Sequence, residues 1–168
     1  HRELNCKLDE HKAEIAADIG VHVQQLITLK QTHSNIVHVI ESHQDQLQLE
    51  GDALITGERD LYVGVKTADC CPILLHDMES KFVAAIHAGW RGALGGVIDN
   101  TIFKMKDLGC DPQNIHAAIG PCIQMSSYEV GEDFHKSFLK ESQEYEQFFH
   151  KLDGKLHFDL PGFVMYKL

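Results

Sequence analysis

The chain has 168 residues, of which 43% are hydrophobic, and a formal net charge of −10 at pH 7. This length and apolar content are typical of one globular domain with a substantial core, and no stretch approaches the roughly 20 apolar residues of a membrane span. The acidic balance argues against a nucleic-acid partner, because such proteins usually present a basic face. We expect a single domain over residues 1–168, incomplete at both ends, with no membrane partner.

The cysteines indicate a reducing compartment. There are five of them, at Cys6, Cys70, Cys71, Cys110 and Cys122, and an odd number without framework spacing is typical of reduced thiols rather than of a disulfide scaffold. No signal-peptide pattern is visible in the sequence. We therefore expect a cytoplasmic protein in which some thiols are functional.

The first half of the chain is strand-rich. Apolar and β-branched runs predict strands at 26–31, 36–42, 52–56, 61–67, 72–77 and 81–87. The turn-rich tetrapeptide "THSN" separates the first two runs, so we expect a hairpin there. The short "MES" loop predicts a second hairpin between the last two runs.

The second half alternates helices with strands. Apolar residues at helical spacing predict one helix over 92–109, with Gly109 as its C-terminal cap. A strand is expected at 114–120 and a long acidic helix over 128–149. The segment 155–160 predicts a last strand entering a helix with Asp159 as N-cap. Hairpins with segregated helices indicate an α+β fold with a mixed sheet.

Three residues with metal-binding side chains follow or end predicted strands. His33 lies in the "THSN" turn, Cys70 follows one strand and His87 ends another. Two imidazoles and a thiolate are a suitable ligand set for Zn²⁺, and a fourth, open position would be typical of a catalytic site. The spacing matches no short local motif, and twelve histidines make accidental groupings easy. The sequence is also compatible with structural roles for these residues, in which His33 is solvated, Cys70 is buried and His87 is hydrogen-bonded at a strand end.

Several motifs in order carry a family resemblance. They are "KQTHSNIV", "DALIT", "KTADCCPILL", "AAIHAGWRG", "AAIGPCI" and "HFDLPG". The chain resembles, from about residue 26 to its end, the multicopper polyphenol oxidoreductase "laccase" family, also called the YfiH family of purine nucleoside phosphorylases. The resemblance implies mixed β-sheets in a layered α/β/β/α arrangement. It also implies zinc ligands at His33, Cys70 and His87.

The resemblance further implies an activity on purine nucleosides. Family members are described as catalysing phosphorolysis of adenosine, inosine, guanosine or methylthioadenosine, and deamination of adenosine. The expected partners are therefore small-molecule purine nucleosides and phosphate. Members usually continue past the "HFDLPG" helix into a cysteine-bearing segment and an arginine-containing one, and the printed sequence ends before these parts.

The chemistry suggests roles for residues beside the three ligands. Deamination needs an activated water and a group that passes protons, and Asp69 is the candidate for the second. Phosphorolysis needs a bound phosphate, and Arg91, flanked by glycines just before a predicted helix, is the candidate anion site. Trp90 is a candidate to stack on the purine. Loop capping for Asp69, an ion pair for Arg91 and packing for Trp90 are the structural alternatives.

Three other classes of function remain open. Copper could occupy a His/Cys/His site, since Cu²⁺ outcompetes Zn²⁺ at most ligands, although no two histidines are separated by a single residue, as a trinuclear laccase site would require. A metal-free hydrolase would use Cys70 as nucleophile with His87 or His33 as base, and some relatives are described as peptidoglycan editing factors. A non-enzymatic metal-binding protein is the third class.

Overall fold

The computed structural model describes residues 11–42 and 49–168, so Cys6 lies outside the described residues. It is an α+β structure built on a five-stranded sheet. The strands of this sheet are β2 (Val37–Val39), β3 (Ala53–Thr56), β5 (Cys71–Asp77), β6 (Val83–Ala88) and β7 (Ile115–Ile119), and their spatial order is β2-β3-β6-β5-β7. The β2–β3 pair is parallel and the other three pairs are antiparallel, which confirms the predicted mixed sheet.

Two smaller sheets flank the central one. Strand β1 (Leu26–Ile27) pairs in parallel with β4 (Tyr62–Val63), and β8 (Phe149–Leu152) pairs with β9 (Lys155–Phe158) as a hairpin. The predicted hairpin between 26–31 and 36–42 is wrong, because β1 and β2 belong to different sheets. The loop between them bonds to Asp52 instead of closing a ladder on itself.

The helices of the described residues are α1 (residues 11–18), α2 (Trp90–Leu94), α3 (Val97–Asp107), α4 (Glu132–Glu141) and α5 (Leu160–Lys167). Those in the segments 92–109 and 128–149 are shorter than the sequence pattern predicts. In the part of the chain that the structure describes, none is long and apolar enough to cross a membrane. Residues 128–131 precede α4, and residues 143–148 form a 3-10 helix between α4 and β8, so the predicted continuous helix over 128–149 is confirmed only over 132–141.

Glycines divide and end the helical segment predicted over 92–109. Gly96 has φ 90°, a left-handed conformation that separates α2 from α3. Gly109, at φ 97°, follows α3, and the Cys110 amide donates to the carbonyl of Met105 at 3.0 Å. This is a Schellman motif, in which a residue without a side chain adopts the left-handed turn at least cost. The predicted cap at Gly109 is therefore confirmed, while the single helix is not.

The larger hydrophobic cluster lies on one face of the central sheet. Alternate residues of β5, namely Cys71, Ile73 and Leu75, are buried against the helical side, where α3 and α5 pack. On the other face, Leu54 of β3 packs with Ile27 and other residues of the β1–β4 region. The residues that alternate with these in β5, namely Pro72, Leu74 and His76, are more exposed, as the two-residue period of a strand predicts.

Candidate metal centre

Antiparallel pairing brings the start of β5 to the end of β6. Pro72 is paired with His87 and Cys71 with Ala88, so Cys70 lies one residue before the first pair of the ladder. The ligand atoms of His33, Cys70 and His87 lie within 4.8 Å of one another, and Cys70 Sγ is 3.7 Å from His33 Nε2. A tetrahedral zinc with its usual bond lengths would separate a sulfur and a nitrogen ligand by about 3.6 Å. The three donors therefore fit a transition-metal ion with nitrogen and sulfur ligands.

His33 is presented by a tight loop between β1 and β2. Its φ is 60°, in the left-handed region that a residue other than glycine seldom adopts. The amides of Thr32, His33 and Ser34 all donate to the carboxylate of Asp52, at 3.2, 3.0 and 2.6 Å. Hydrogen bonds from three successive amides hold the loop in a conformation that would otherwise be disfavoured, and so place the imidazole at the site.

Asp52 also contacts the second imidazole. His87 Nδ1 lies 2.7 Å from Asp52 Oδ1, and both residues are buried, with 3% and 0% of their surface exposed. Burial alone would raise the pKa of Asp52, but hydrogen bonds from Ser34, His87 and Thr32 together lower the pKa. The group is therefore an ionised carboxylate that can only accept hydrogen bonds.

Sequence reasoning missed Asp52. The available signal was an acid directly before the apolar strand "ALIT", since a carboxylate at the edge of a buried strand needs partners. Those partners lie 18 to 20 and 35 residues away in the chain, in the loop at 32–34 and at His87. No local pattern identifies them.

The two adjacent thiols point to different environments. Cys71 is fully buried in the core, as the alternation of a strand predicts, and burial raises the pKa of its thiol to about 12. Cys70 is only partly buried at the site. Burial is also the largest cause of the raised pKa of Cys70, followed by the negative charges of Asp69 and Asp52. In the absence of a cation, this environment keeps the Cys70 thiol protonated.

Gly89 allows the close approach of two candidate ligands. A Cβ atom at this position would lie 2.6 Å from His33 Cδ2 and 3.0 Å from Cys70 Sγ. Its backbone, with φ −72° and ψ 161°, is accessible to any residue, so the requirement for glycine is steric and not conformational. The "HAGWRG" motif thus combines a ligand with the space that the other two ligands need.

The other predicted site residues lie close to the candidate ligands in the chain. Asp69 and Arg91 are exposed, and Arg91 lies within the first turn of α2 instead of before a helix. The Arg91 guanidinium carbon is 4.5 Å from the centroid of the Trp90 ring. Trp90 is half-buried, with ring centroids 4.7 Å from Phe134 and 6.2 Å from Phe138. The tryptophan therefore packs on the aromatic core and supports the arginine.

Tyr128 is a second residue that sequence reasoning did not select. The pKa of Tyr128 is raised to about 12, chiefly by burial and also by the charges of Cys70 and Asp69, while Arg91 opposes the shift. Its hydroxyl therefore stays protonated and can act as a hydrogen-bond donor. Its ring packs edge-on against Phe134, with centroids 5.8 Å apart. Only the folded chain reveals that this tyrosine shares the electrostatic environment of Cys70, Asp69 and Arg91.

A groove lies elsewhere on the molecule. It has a volume of about 580 Å³ and is lined by Tyr62, Leu74, His76, His116 and Ala118 among others, none of them a predicted site residue. The groove lies over the face of β5 that points away from the helical core. The groove is thus separate from the candidate metal centre, which is distinguished by its converging donors.

Known proteins are similar to this chain in sequence. A purine nucleoside phosphorylase of Rickettsia prowazekii is 35% identical over 175 residues, an alignment that covers all of this chain and 72% of that protein. The adenosine deaminase RL5, from an unknown prokaryotic organism, is 37% identical over 134 residues, covering 75% of this chain and 51% of its own length. The chain thus spans between half and three quarters of the length of these two relatives.

A solved structure and a family model agree with these similarities. YfiH of Bacillus licheniformis superimposes with a TM-score of 0.85 at 21% identity, covering 95% of this chain and 64% of the other, which shows the shared fold. Residues 5–168 match the family described as multi-copper polyphenol oxidoreductase laccase. On this match, and on the sequence identity over the full chain, the protein belongs to the multi-copper polyphenol oxidoreductase laccase family.

Proposed function

We propose that this chain is the core of a zinc-dependent purine nucleoside enzyme, with His33, Cys70 and His87 as the metal ligands. Its reactions would be phosphorolysis of adenosine, inosine, guanosine or methylthioadenosine, and deamination of adenosine. The observation that carries the proposal is the convergence of three metal-binding atoms within 4.8 Å at neighbouring strand ends. The names of two relatives, a purine nucleoside phosphorylase and an adenosine deaminase, support the two reactions.

The metal would supply Lewis acidity, which lowers the pKa of a water molecule towards neutrality and polarises a substrate oxygen. The chain's own residues would bind and orient the reactants. The exposed Arg91 offers a planar, bidentate fork to phosphate, and the Trp90 ring beneath it restricts its orientation. Asp69, exposed and adjacent to Cys70, is placed to exchange protons with solvent. Trp90 would stack on the purine only with the part of its ring that stays exposed.

The donor set favours zinc over a copper cluster. Zinc accepts a thiolate and two imidazoles in tetrahedral geometry and keeps one position open at catalytic sites. A single copper ion could use the same three ligands. A trinuclear copper site needs closely paired histidines, and the chain contains no two histidines separated by one residue. Copper oxidase activity is accordingly the weaker proposal.

The thiol environment argues against a metal-free hydrolase. Cys70 Sγ lies 3.7 Å from His33 Nε2, so the pair has the position that a thiol–imidazole dyad requires. A nucleophilic cysteine needs a lowered pKa, however, and burial together with Asp69 and Asp52 raises the pKa of Cys70. A bound cation would reverse this balance, because metal ligation deprotonates a thiol.

The test combines metal analysis with a nucleoside panel. The purified protein is analysed for bound metal and incubated with adenosine, inosine, guanosine and methylthioadenosine, with and without phosphate. Phosphorolysis gives free base and ribose 1-phosphate only when phosphate is present, whereas deamination of adenosine gives inosine and ammonia without it. His33→Ala should abolish metal binding and turnover, and His116→Ala, at an exposed position of β7, should change neither. Full activity in a metal-free protein would overturn the proposal.

A further inference from the structure

Asp52 joins the two candidate imidazole ligands through a single side chain. Its Oδ1 accepts from the amide of His33 at 3.0 Å and lies 2.7 Å from His87 Nδ1. Its Oδ2 accepts from the amide and the hydroxyl of Ser34, each at 2.6 Å. The carbonyl of Asp52 also accepts from the His87 amide at 2.7 Å. One buried residue therefore holds both the backbone and the ring of His87, and the loop that carries His33.

We propose that Asp52 is the positioning residue of the metal centre: it fixes the tautomer of His87 and the placement of His33, and so prepares two ligands at once. This inference rests on the proposed metal site. A carboxylate can only accept, so the proton of the neutral His87 ring must lie on Nδ1. The lone pair of Nε2 is then free to face the metal. A carboxylate that accepts from a ligand histidine also raises the basicity of that ligand.

An amide in place of the carboxylate cannot perform both tasks. Asparagine has one accepting oxygen and one donating nitrogen, whereas the donors around Asp52 approach both of its oxygens. If the amide nitrogen faces His87, the ring proton moves to Nε2, which then has no lone pair with which to bind the metal. If the amide nitrogen faces the loop, this donor lies against two other donors, the amide and the hydroxyl of Ser34. Either orientation disturbs one of the two ligands.

The same chain offers a matched control. Asp77 is also buried, and its Oδ1 accepts from the amides of Glu79 and Ser80 at 2.7 and 2.9 Å. It ends β5, whereas the candidate ligands lie at the beginning of that strand and the end of β6. Asp77→Asn thus makes the same chemical change in a buried carboxylate without touching either imidazole.

The experiment compares wild type, Asp52→Asn, Ser34→Ala and Asp77→Asn. Long-range ¹H–¹⁵N NMR of the metal-free proteins reports which ring nitrogen of His87 carries the proton, and competition with a chromophoric chelator reports the affinity for Zn²⁺. We expect an Nδ1–H tautomer in wild type and Asp77→Asn, and loss of that preference in Asp52→Asn. The Zn²⁺ affinity of Asp52→Asn should fall about 10- to 100-fold. Ser34→Ala removes a hydroxyl that donates to Asp52 Oδ2 and leaves Oδ1 against His87, so it should keep the tautomer.

Each outcome decides the proposal. An unprotonated Nδ1 in wild type, or an unchanged tautomer and affinity in Asp52→Asn, would overturn it. If Asp52→Asn does not fold, the wild-type tautomer and its retention in Ser34→Ala still decide whether Asp52 acts on His87. If wild type binds no metal, the proposed function fails at this site, while the tautomer measurement continues to test the role of Asp52 separately.

Discussion

The two ends of the central sheet each combine a buried carboxylate with a thiol. At the end of β6, Asp52 lies against the imidazole of His87, and Cys70 follows within the same cluster. At the end of β5, Asp77 accepts two turn amides, and Cys110 lies 3.0 Å from the hydroxyl of Ser80. The residue types are similar, but at the first end an imidazole lies against the carboxylate, whereas at the second end Asp77 Oδ1 accepts from backbone amides.

This difference separates a chemical centre from a structural turn. Hydrogen bonds from the backbone of Ser80 and Glu79 lower the pKa of Asp77 to about 2, which stabilises the turn after β5. Asp52 likewise accepts backbone amides, but one of its oxygens is also used by a group that can bind a metal. A buried acid with a perturbed pKa is thus not sufficient evidence of a functional site, since ordinary turns perturb pKa values as well.

Replacing a cysteine at each end of the central sheet should give the largest difference in Zn²⁺ affinity between the two ends. Cys70→Ala is expected to lower the affinity for Zn²⁺ by more than about 100-fold. Loss of a residue that hydrogen-bonds to a metal ligand lowers the affinity about 10- to 100-fold, and loss of the ligand itself should lower it more. Cys110→Ala and Cys71→Ala should bind metal normally and lose only about 1 kcal/mol of stability. Chelator competition and denaturant unfolding measure the two quantities. Metal loss in Cys71→Ala with retention in Cys70→Ala would show that the other thiol is the ligand.

A methyl group at Gly89 should weaken the centre without removing a ligand. The new Cβ would lie 2.6 Å from His33 Cδ2, so the imidazole must shift. We expect the Zn²⁺ affinity of Gly89→Ala to fall roughly tenfold, as for other disturbances of ligand orientation. Gly131→Ala is the control, because its φ is −92° and no atom lies within 4 Å of the added carbon. Equal affinities of the two variants would contradict the close packing of the ligands.

Arg91→Lys should separate the two proposed reactions. Lysine keeps the charge but lacks the planar fork, so phosphorolysis of adenosine should fall by roughly fivefold, the equivalent of one weakened hydrogen bond to a charged group. Deamination uses water instead of phosphate and should change less. The measurement is the ratio of the two activities in wild type and variant. An equal decrease in both would assign Arg91 to the fold or to the nucleoside, and no decrease would place the phosphate elsewhere.

Asp77→Asn should have the smallest effect, confined to acidic pH. The folded-state pKa of Asp77 is about 2, below the ordinary value of 3.8, so its ionised form stabilises the fold above about pH 4. That contribution is lost as the pH falls from about 4 towards 2. Asparagine can still accept from the turn amides but does not titrate, so the variant should show a weaker acid dependence of the unfolding temperature. A wild-type acid profile in Asp77→Asn would exclude this carboxylate as its source.

The local sequence predicted much of the fold. The β5–β6 hairpin, the left-handed Gly109 after α3 and the capping of α5 by Asp159 depend on residues close together in the chain, and each prediction is confirmed. The lengths of the helices were less predictable. Ser142, with φ −157° and ψ 135°, interrupts a segment whose composition favours a continuous helix, and its hydroxyl accepts from the amide of Glu144.

The sequence by itself determined the residue types of the candidate centre, and the family resemblance indicated which of twelve histidines to choose. Only the tertiary structure decided how they are arranged. The pairing of β1 with β4, and of β2 with β3, depends on packing between layers, so the hairpin expected from "THSN" did not form. Asp52 lies 35 residues from His87, and their 2.7 Å contact arises from β3 and β6 being neighbours in the sheet. A hydrogen bond depends on distance in space, and a sequence pattern records only distance along the chain.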